Sequence, residues 1–268
     1  MEQDVLPEWA ANRYEALEPV GQGTYTTVYK AKDRVRGDVF AIKLLLPEHR
    51  GVPRIRDRFV TEARAMTRLV HPNIVRIFDV GGALSDEPAI VMEYVGSGDL
   101  RTAVPRGGLP AGRAARLLLF TLAGLAEAHM AGVTHRGLCP EAVLLDAEGQ
   151  PKVSDFGVAR LTQHQKQTMT MSAESLGSIY YTSPEQRANP RNADARSDVY
   201  AAGALLFFLA TGRDPPDLSQ AAVAEALVEQ VDPVLRPIVV KATAEDPADR
   251  YQDAREMGQA VRALFTGA

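Results

Sequence analysis

The sequence contains a single cysteine, Cys139, and is poor in aromatic residues, which make up 6% of the chain. One cysteine excludes an internal disulfide and is typical of a reducing compartment. Long apolar runs are also missing, since the longest, over residues 201–210, is too short to cross a bilayer. The N-terminus lacks the basic start and apolar run of a signal peptide. These absences predict a cytoplasmic protein, or the cytosolic part of a longer one.

Neither sign of charge is in large excess. The 30 Lys and Arg residues and 34 Asp and Glu residues give a net charge of -4 over 268 residues. A nucleic-acid-binding surface normally requires a basic excess that this composition does not have. Apolar residues at 46% and charged residues at 24% are ordinary values for a globular chain. We therefore expect protein or small-molecule partners, no nucleic acid and no direct membrane contact.

The first third of the chain reads as strands separated by turns. The segments "YEALEPV", "TTVYKAKDRV" and "DVFAIKLL" are rich in β-branched and aromatic residues, with glycine-containing turns between them. Two more strand patterns, "IVRIFDVG" and "AIVMEYV", follow one amphipathic helix. The apolar stripe of that helix contains Ile55, Phe59, Met66 and Leu69. We expect residues 1–12, an extension that includes Trp9, to pack loosely on this region.

The remainder of the chain is mainly helical. Long helices are predicted over residues 113–131 and 198–211, and shorter ones over 220–230, 233–244 and 252–265. A strand-rich part followed by a helix-rich part predicts an α+β fold with two lobes. We assign residues 13–92 to the first lobe, 93–98 to a hinge and 99–268 to the second lobe.

Two charged residues stand among apolar neighbours in the first lobe. Lys43 ends the strand segment "FAIK", and Glu62 falls on the inward stripe of the predicted helix. Burying either charge without a partner costs several kcal/mol. We therefore predict an ion pair between Lys43 and Glu62; the alternative is two independent surface charges, with Lys43 reaching solvent from the end of its strand.

Two further stretches are the most informative: "THRGLCPEAVLLD", residues 134–146, and "KVSDFGVAR", residues 152–160. They resemble the catalytic loop H-R-D-L-K-P-x-N and the magnesium-binding D-F-G segment of protein kinases. The segments "GQG", "FAIK", "MEYV" and "SPE" match other kinase motifs in the same order. The phrases "HPNIVRIFDV" and "TSPEQ" are most similar to bacterial Ser/Thr (Hanks-type) protein kinases.

This resemblance implies the two-lobed protein kinase-like fold, with a small antiparallel sheet lobe carrying one helix and a larger, mainly helical lobe. It also implies ATP between the lobes and one weakly held Mg²⁺ on Asp155. The residues that it assigns to the nucleotide are Val20, Gly21, Gly23, Val28, Ala41, Lys43, Glu62, Met92, Glu93, Val95, Leu144 and Asp155. By itself the Gly21–Gly23 turn could equally be a plain hairpin turn, and Thr26 replaces the third glycine of the kinase pattern.

Three side chains of the resembled catalytic loop are missing. Gly137 stands in place of the catalytic Asp, Cys139 in place of Lys, and Ala142 in place of the Asn that holds a second metal ion. Losing the base alone costs on the order of 10²–10⁴ in rate, and the other two losses remove charge stabilisation. Glu141 is the nearest carboxylate that could replace the base. The chain is therefore predicted to be a pseudokinase without the usual catalytic residues, and we expect Cys139 to be an inert filler.

The resemblance also assigns roles to residues outside the nucleotide site. Arg136 would meet a phosphorylated residue of the activation loop, where Thr168 and Thr170 are candidates, although ordinary loop threonines are an equal alternative. Glu185 would pair with Arg250 near the end of the chain.

The same resemblance implies two buried structural groups. Asp198 would anchor the catalytic loop from below. Phe156 would stack on His135, which gives that histidine a structural role.

Three functions are compatible with these motifs. The leading hypothesis is a pseudokinase that binds ATP and acts as a scaffold or regulator of a partner protein, either an active Ser/Thr kinase or its substrate. The first alternative is a residually active Ser/Thr kinase with an atypical catalytic loop. The second is a nucleotide-free interaction module in which Lys43 and Asp155 merely pair with each other.

Overall fold

The computed structural model describes residues 6–82, 87–156, 179–220 and 229–266. The first two of these ranges contain a five-stranded antiparallel sheet. Its strands are β1 (Tyr14–Gln22), β2 (Thr26–Asp33), β3 (Val39–Leu45), β4 (Ile77–Gly81) and β5 (Ala89–Glu93). They lie in the order β1-β2-β3-β5-β4, each antiparallel to its neighbour. The turn between β2 and β3 contains Gly37 at φ 79, a conformation that glycine adopts without steric cost.

One amphipathic helix packs against this sheet, as predicted. Its residues form α3 (Pro53–Met66), which follows the short α2 (Pro47–Arg50). Proline at the start of each helix is favourable because its missing N–H would have no helical partner there. The residues that α3 buries are Phe59, Val60, Ala63 and Met66. Phe59, Val60 and Ala63 form a core cluster with Leu45 and Ile90 of the sheet. Met66 belongs instead to the core cluster of the helical lobe.

The described part of the N-terminal extension, residues 6–12, is packed more tightly than we expected. It contains the helix α1 (Glu8–Ala11), and Leu6 and Ala10 are buried in the same cluster as Ile42 and Val91 of the sheet. The indole of Trp9 lies so close to Gly81 that a Cβ at that glycine would stand 2.2 Å from the ring. The prediction of loose packing was wrong. The indole packs closely on the sheet because Gly81 has no side chain, and the sequence pattern does not show this contact.

The rest of the described chain is mainly helical. The helices are α4 (Leu100–Ala103), α5 (Ala111–Met130), α6 (Pro184–Ala188), α7 (Ala195–Thr211), α8 (Arg236–Ala242) and α9 (Ala254–Thr266), and a two-stranded ladder consists of β6 (Val143–Leu145) and β7 (Pro151–Val153). Asp99 caps α4 through a capping box with Thr102, which begins the helix directly after the hinge segment.

Helix α7 forms the centre of this lobe, as its apolar composition predicts. Nearly all its residues are buried, and it lies between α5 and α8. Gly203 permits the close contact with α8, because a Cβ there would stand 2.7 Å from Ala242. Gly212, at φ 67, ends the helix in the left-handed conformation.

The predicted α+β arrangement is confirmed. The helix predicted over residues 220–230 falls mostly outside the described residues. None of the described helices combines the length and apolar character needed to cross a membrane.

The contact between Trp9 and Gly81 predicts how a side chain at position 81 changes the free energy of unfolding. We expect Gly81→Ala to destabilise the protein by about 1–3 kcal/mol, because the added methyl group must displace the indole. In a Trp9→Ala background the same change should cost less than about 1 kcal/mol, since the obstacle is gone. Urea unfolding of the four proteins of this cycle measures the difference.

A matched control is Gly51→Ala, where no atom lies within 4 Å of an added Cβ. It should leave the free energy of unfolding nearly unchanged. Equal costs of Gly81→Ala in both backgrounds would show that the indole does not determine the packing of the extension.

Candidate functional site

The ammonium of Lys43 forms an ion pair with a carboxylate oxygen of Asp155. Lys43 lies on β3 with its side chain 7% exposed, and the Asp155 carboxylate follows β7 in the other lobe. No ion pair joins Lys43 to the predicted partner, Glu62, so the prediction of a Lys43–Glu62 ion pair was wrong. Residue 155 comes close to β3 only through the fold, and the local pattern on α3 could not show this.

The electrostatics of Asp155 follow from this pair. Burial by itself would raise the pKa of Asp155, but the Lys43 ammonium outweighs it, and the pKa lies below its ordinary value. The carboxylate is therefore ionised at neutral pH. Asp155 also has a positive φ of 62, which an aspartate tolerates better than most residues.

A cavity of about 50 Å³ joins four of the predicted nucleotide residues, Lys43, Glu62, Met92 and Asp155. The other lining side chains are apolar apart from Ser154, and include residues of α3, β4, β5 and β7. The structure thus brings Glu62 to the same cavity as Lys43, although the two do not pair. Met92 is one of the residues that line this cavity.

The remaining apolar residues assigned to the nucleotide lie on neighbouring elements. Val28 is opposite Lys43 across β2 and β3, and Ala41 is opposite Met92 across β3 and β5. Leu144 of β6 forms a bridge with Asp99, and Val20 of β1 is largely exposed.

The turn between β1 and β2 is a hairpin closed on itself. The N–H of Gly23 donates to the carbonyl of Thr26 (2.8 Å), and the Thr26 side chain is buried. A Cβ at Gly21 or Gly23 would meet its nearest atoms at 3.8 or 3.6 Å, which are ordinary contacts. The fold itself therefore does not need glycine at either position.

The hinge segment, residues 93–98, is attached to the second lobe. The Glu93 carboxylate pairs with Lys152 of β7 (2.9 Å) and accepts the N–H of Arg76 (3.2 Å). Leu145 of β6 donates its N–H to Gly98 (2.9 Å) and accepts that of Ser97 (3.3 Å). In contrast, the main-chain groups of Val95 form no hydrogen bond with any residue that the structure describes.

The catalytic loop is held by the buried carboxylate of Asp198 on α7. One oxygen accepts the N–H of His135 (2.8 Å) and bonds to the His129 imidazole (2.8 Å), and the other accepts the N–H of Arg136 (2.7 Å). Arg136 sits at φ 66, a costly conformation for a long side chain. The two hydrogen bonds to Asp198 stabilise it, as the resemblance implies.

Both ring nitrogens of His135 are engaged. Nδ1 accepts the N–H of Gly137 (3.2 Å), so Nε2 carries the proton that it donates to the carbonyl of Ser154 (2.8 Å). Burial lowers the pKa of His135, which keeps the imidazole neutral. The ring also packs on Phe156 with centroids 4.5 Å apart. His135 is therefore structural, in agreement with the expectation.

Gly137, Cys139 and Ala142 carry no carboxylate, ammonium or amide group in place of the Asp, Lys and Asn of the family motif. Gly137 is exposed, and it is not among the glycines whose φ is positive. Ala142 is buried, and its carbonyl accepts both the N–H (2.8 Å) and the hydroxyl (3.1 Å) of Ser154. Burial raises the pKa of the Cys139 thiol well above its ordinary range, which is consistent with an inert filler.

Glu141, the candidate replacement base, is bound to an arginine. Its carboxylate pairs with Arg101 of α4 (2.7 Å), and the same guanidinium pairs with Asp214 (2.7 Å). Asp214 in turn accepts the hydroxyl of Tyr181 (2.9 Å). The sequence analysis missed this cluster because its members come from distant segments without a shared motif.

The regulatory residues are only partly described. The Arg136 guanidinium donates to the carbonyl of Ala193 (3.2 Å). Thr168 and Thr170 lie outside the described residues, so their proposed contact with Arg136 stays a prediction.

Glu185 and Arg250 form the predicted buried pair. Two parallel hydrogen bonds of 3.0 and 2.9 Å join the guanidinium to the carboxylate, and the Ser197 hydroxyl donates to it at 2.6 Å. The arginine side chain is completely buried. This pair connects α6, which follows residues 157–178, with the C-terminal part of the lobe.

The side chains near Asp155 determine which metal ion this region could hold. Among the described residues, no group of three or more His, Cys, Asp or Glu side chains could hold a metal ion. Magnesium at nucleotide sites instead uses one or two carboxylates together with phosphates and water. The ionised Asp155 fits such a single site, whereas Ala142 supplies no side-chain oxygen for a second.

The comparisons define the family. A family model described as the protein kinase domain matches residues 14–262. The chain therefore belongs to the protein kinase family, and the predicted protein kinase-like fold is confirmed.

Several bacterial protein kinases are similar to this chain. A probable serine/threonine-protein kinase of Corynebacterium efficiens is 37% identical over 279 residues, which cover 96% of this chain and 42% of that protein. The serine/threonine-protein kinase PknL of Mycobacterium tuberculosis is 35% identical over 266 residues, 94% of this chain and 66% of its own length. The crystal structure of the Mycobacterium tuberculosis PknI kinase domain matches with a TM-score of 0.71 at 25% identity, over 94% of this chain and 96% of that one. The chain thus spans less than half of the first relative.

The Glu185–Arg250 pair makes a prediction about pH. Burial raises the pKa of Glu185, but hydrogen bonds from Arg250 and Ser197 outweigh it and hold the pKa at about 2, below the ordinary 4.5. Because the folded pKa is the lower one, this stabilisation is complete above about pH 4.5 and is lost as the pH falls towards 2. A shift of this size corresponds to about 3 kcal/mol.

Urea unfolding at several pH values measures this dependence. Glu185→Gln should lower the free energy of unfolding at neutral pH and flatten its decline in acid, whereas the exposed Glu148→Gln should do neither. An acid slope that is unchanged in Glu185→Gln would contradict the assignment.

Proposed function

We propose that this domain binds ATP with a single Mg²⁺ ion, transfers phosphate poorly or not at all, and regulates a partner protein in a Ser/Thr kinase pathway of the cytoplasm. The partner would be an active Ser/Thr kinase or the substrate of one. A partner kinase that phosphorylates Thr168 or Thr170 would supply the anion for Arg136.

The observation that carries the proposal is Gly137. The loop around it is fully anchored, with two N–H groups on Asp198 and a third on His135. The position where the family needs a carboxylate is nevertheless exposed and has no side chain. Because Gly137 does not have a positive φ, the backbone does not require glycine there. The missing base is therefore a chemical loss in an otherwise ordered loop.

Several features support nucleotide binding. The main-chain groups of Val95 bond to no residue that the structure describes, so they are available to a base. Gly21 and Gly23 are not needed by the fold, which leaves close approach of a ligand as a reason for them. Lys43, Met92 and the ionised Asp155 line the same cavity. A bound Mg²⁺ would neutralise phosphate charge, and Asp155 would hold it.

Two alternative functions, a residually active kinase and a nucleotide-free interaction module, require different roles for these residues. A residually active kinase would need Glu141 as its base, but that carboxylate is already paired with Arg101. A nucleotide-free module is favoured by one observation, the direct pair between Lys43 and Asp155. Nucleotide binding must rearrange this pair, because the same ammonium is needed for the phosphates.

Binding is tested by thermal shift or calorimetry with ATP, in the presence and absence of Mg²⁺. At about 100 times its dissociation constant, ATP should stabilise the fold by roughly 2.7 kcal/mol. Lys43→Ala should abolish the stabilisation, and Asp155→Ala should abolish its dependence on Mg²⁺. Lys32→Ala, an exposed lysine on the adjacent strand, is the matched control and should behave as the native protein. No stabilisation at millimolar ATP would favour the nucleotide-free module.

Catalysis is tested by restoring the missing groups. The native protein and its Lys43→Ala, Asp155→Ala double variant should show the same background phosphate transfer to a generic protein substrate. The triple variant Gly137→Asp, Cys139→Lys, Ala142→Asn should exceed the native protein by at least about 10²-fold, the lower bound for general acid–base assistance. Native transfer that the double variant lowers would establish the residually active kinase instead.

A further inference from the structure

A second, larger cavity of about 550 Å³ lies in the helical lobe, away from the residues assigned to the nucleotide. It is formed by α4, the first turns of α5 and the turn between β6 and β7. None of the predicted nucleotide residues lines it. Its volume is within the range of ligand-binding recesses in proteins.

The floor of this recess is apolar. It consists of Leu100, Val104, Leu109, Leu117, Phe120 and Leu145. Leu100 and Leu109 are buried, and the other four are only partly covered by the rest of the chain. Partly covered apolar side chains grouped in a concave site are typical of a surface that receives another molecule.

The rim is cationic. Arg113 and Arg116 are exposed on consecutive turns of α5, where side chains three residues apart are neighbours. Arg113 has no ion-pair partner in the described chain, and the contact of Arg116 is with the ring of Phe120 at 5.7 Å. The acidic member of the lining, Glu148, is exposed and pairs with neither arginine.

We propose that this recess, lined by α4, α5 and the β6–β7 turn, binds a segment of a partner protein in which aliphatic side chains are followed by acidic ones. The aliphatic side chains would cover the floor, and the carboxylates would meet Arg113 and Arg116. Charge complementarity selects this occupant, because an arginine pair beside an apolar floor favours acidic over basic segments. The site does not depend on nucleotide binding or on catalytic competence.

The recess is physically connected to the hinge. Leu145 contributes to its floor and also forms both hydrogen bonds that attach β6 to Ser97 and Gly98. Helix α4, whose Leu100 lies in the floor, begins directly after the hinge at Asp99. An occupant would therefore contact the same residues that hold the hinge in place.

The test uses an array of labelled peptides that combine leucine and glutamate in varied order, with lysine in place of glutamate in a matched set. Fluorescence anisotropy should identify acidic peptides that bind the native protein and whose lysine counterparts do not. The double variant Arg113→Glu, Arg116→Glu should weaken the acidic peptides at least about tenfold and should improve binding of the lysine peptides. Circular dichroism checks that the variant folds.

The matched control is Arg106→Glu, which makes the same charge change at a nearby exposed arginine outside the recess. Its affinity for the acidic peptides should stay within about twofold of the native value, the expectation for a charge outside the contact. Equal weakening by Arg106→Glu would reduce the effect to general charge attraction and overturn the site.

Three further results would also overturn it. The first is the absence of any acidic peptide whose binding depends on the two arginines. The second is self-association in sedimentation experiments that the double variant abolishes, which would assign the recess to a second copy of this chain. The third is displacement of the peptides by inorganic phosphate alone, which would reduce the recess to an anion site.

Discussion

The buried carboxylate of Asp198 is the interaction on which the functional region depends. It accepts hydrogen bonds from the main chain of His135 and Arg136 and bonds to the imidazole of His129, so that α5, α7 and the catalytic loop meet at one charged group. A buried carboxylate is stable only when it is well hydrogen-bonded. Because the loop supplies main-chain N–H groups, its shape is largely independent of the side chains that it displays. The substitution of three residues of the family's loop motif, at Gly137, Cys139 and Ala142, is therefore compatible with an intact loop.

The Lys43–Asp155 pair joins the two lobes through an ion pair between side chains, whereas Asp198 acts through hydrogen bonds from the main chain. The lysine is almost completely buried on β3, whereas the aspartate follows β7 and is considerably more exposed. Each charge lowers the cost of burying the other. The pair therefore connects β3 of the first lobe to the segment after β7 of the second.

The fold was predictable where the pattern is local or the motif is strong. The strands, the helix with Phe59 and Met66, and the buried helix α7 follow from periodicity, and the protein kinase-like fold follows from motif order. The Glu185–Arg250 pair could be predicted only through the resemblance. The prediction of a Lys43–Glu62 pair was wrong, and the Arg101–Glu141 pair was missed. In both cases the fold determines which charged residues from distant segments come together. The packing of Trp9 depends on the absence of a side chain at Gly81, which periodicity does not show.

The attachment of the hinge has a thermodynamic consequence. Glu93, Ser97 and Gly98 are fixed by hydrogen bonds or an ion pair to the second lobe. The main-chain groups of Val95, which lies between them, form no hydrogen bond within the described part of the chain. A molecule that bonds to Val95 meets a backbone that has already lost its conformational freedom. The entropy of ordering this segment was spent when the protein folded, so more of the contact energy remains as affinity.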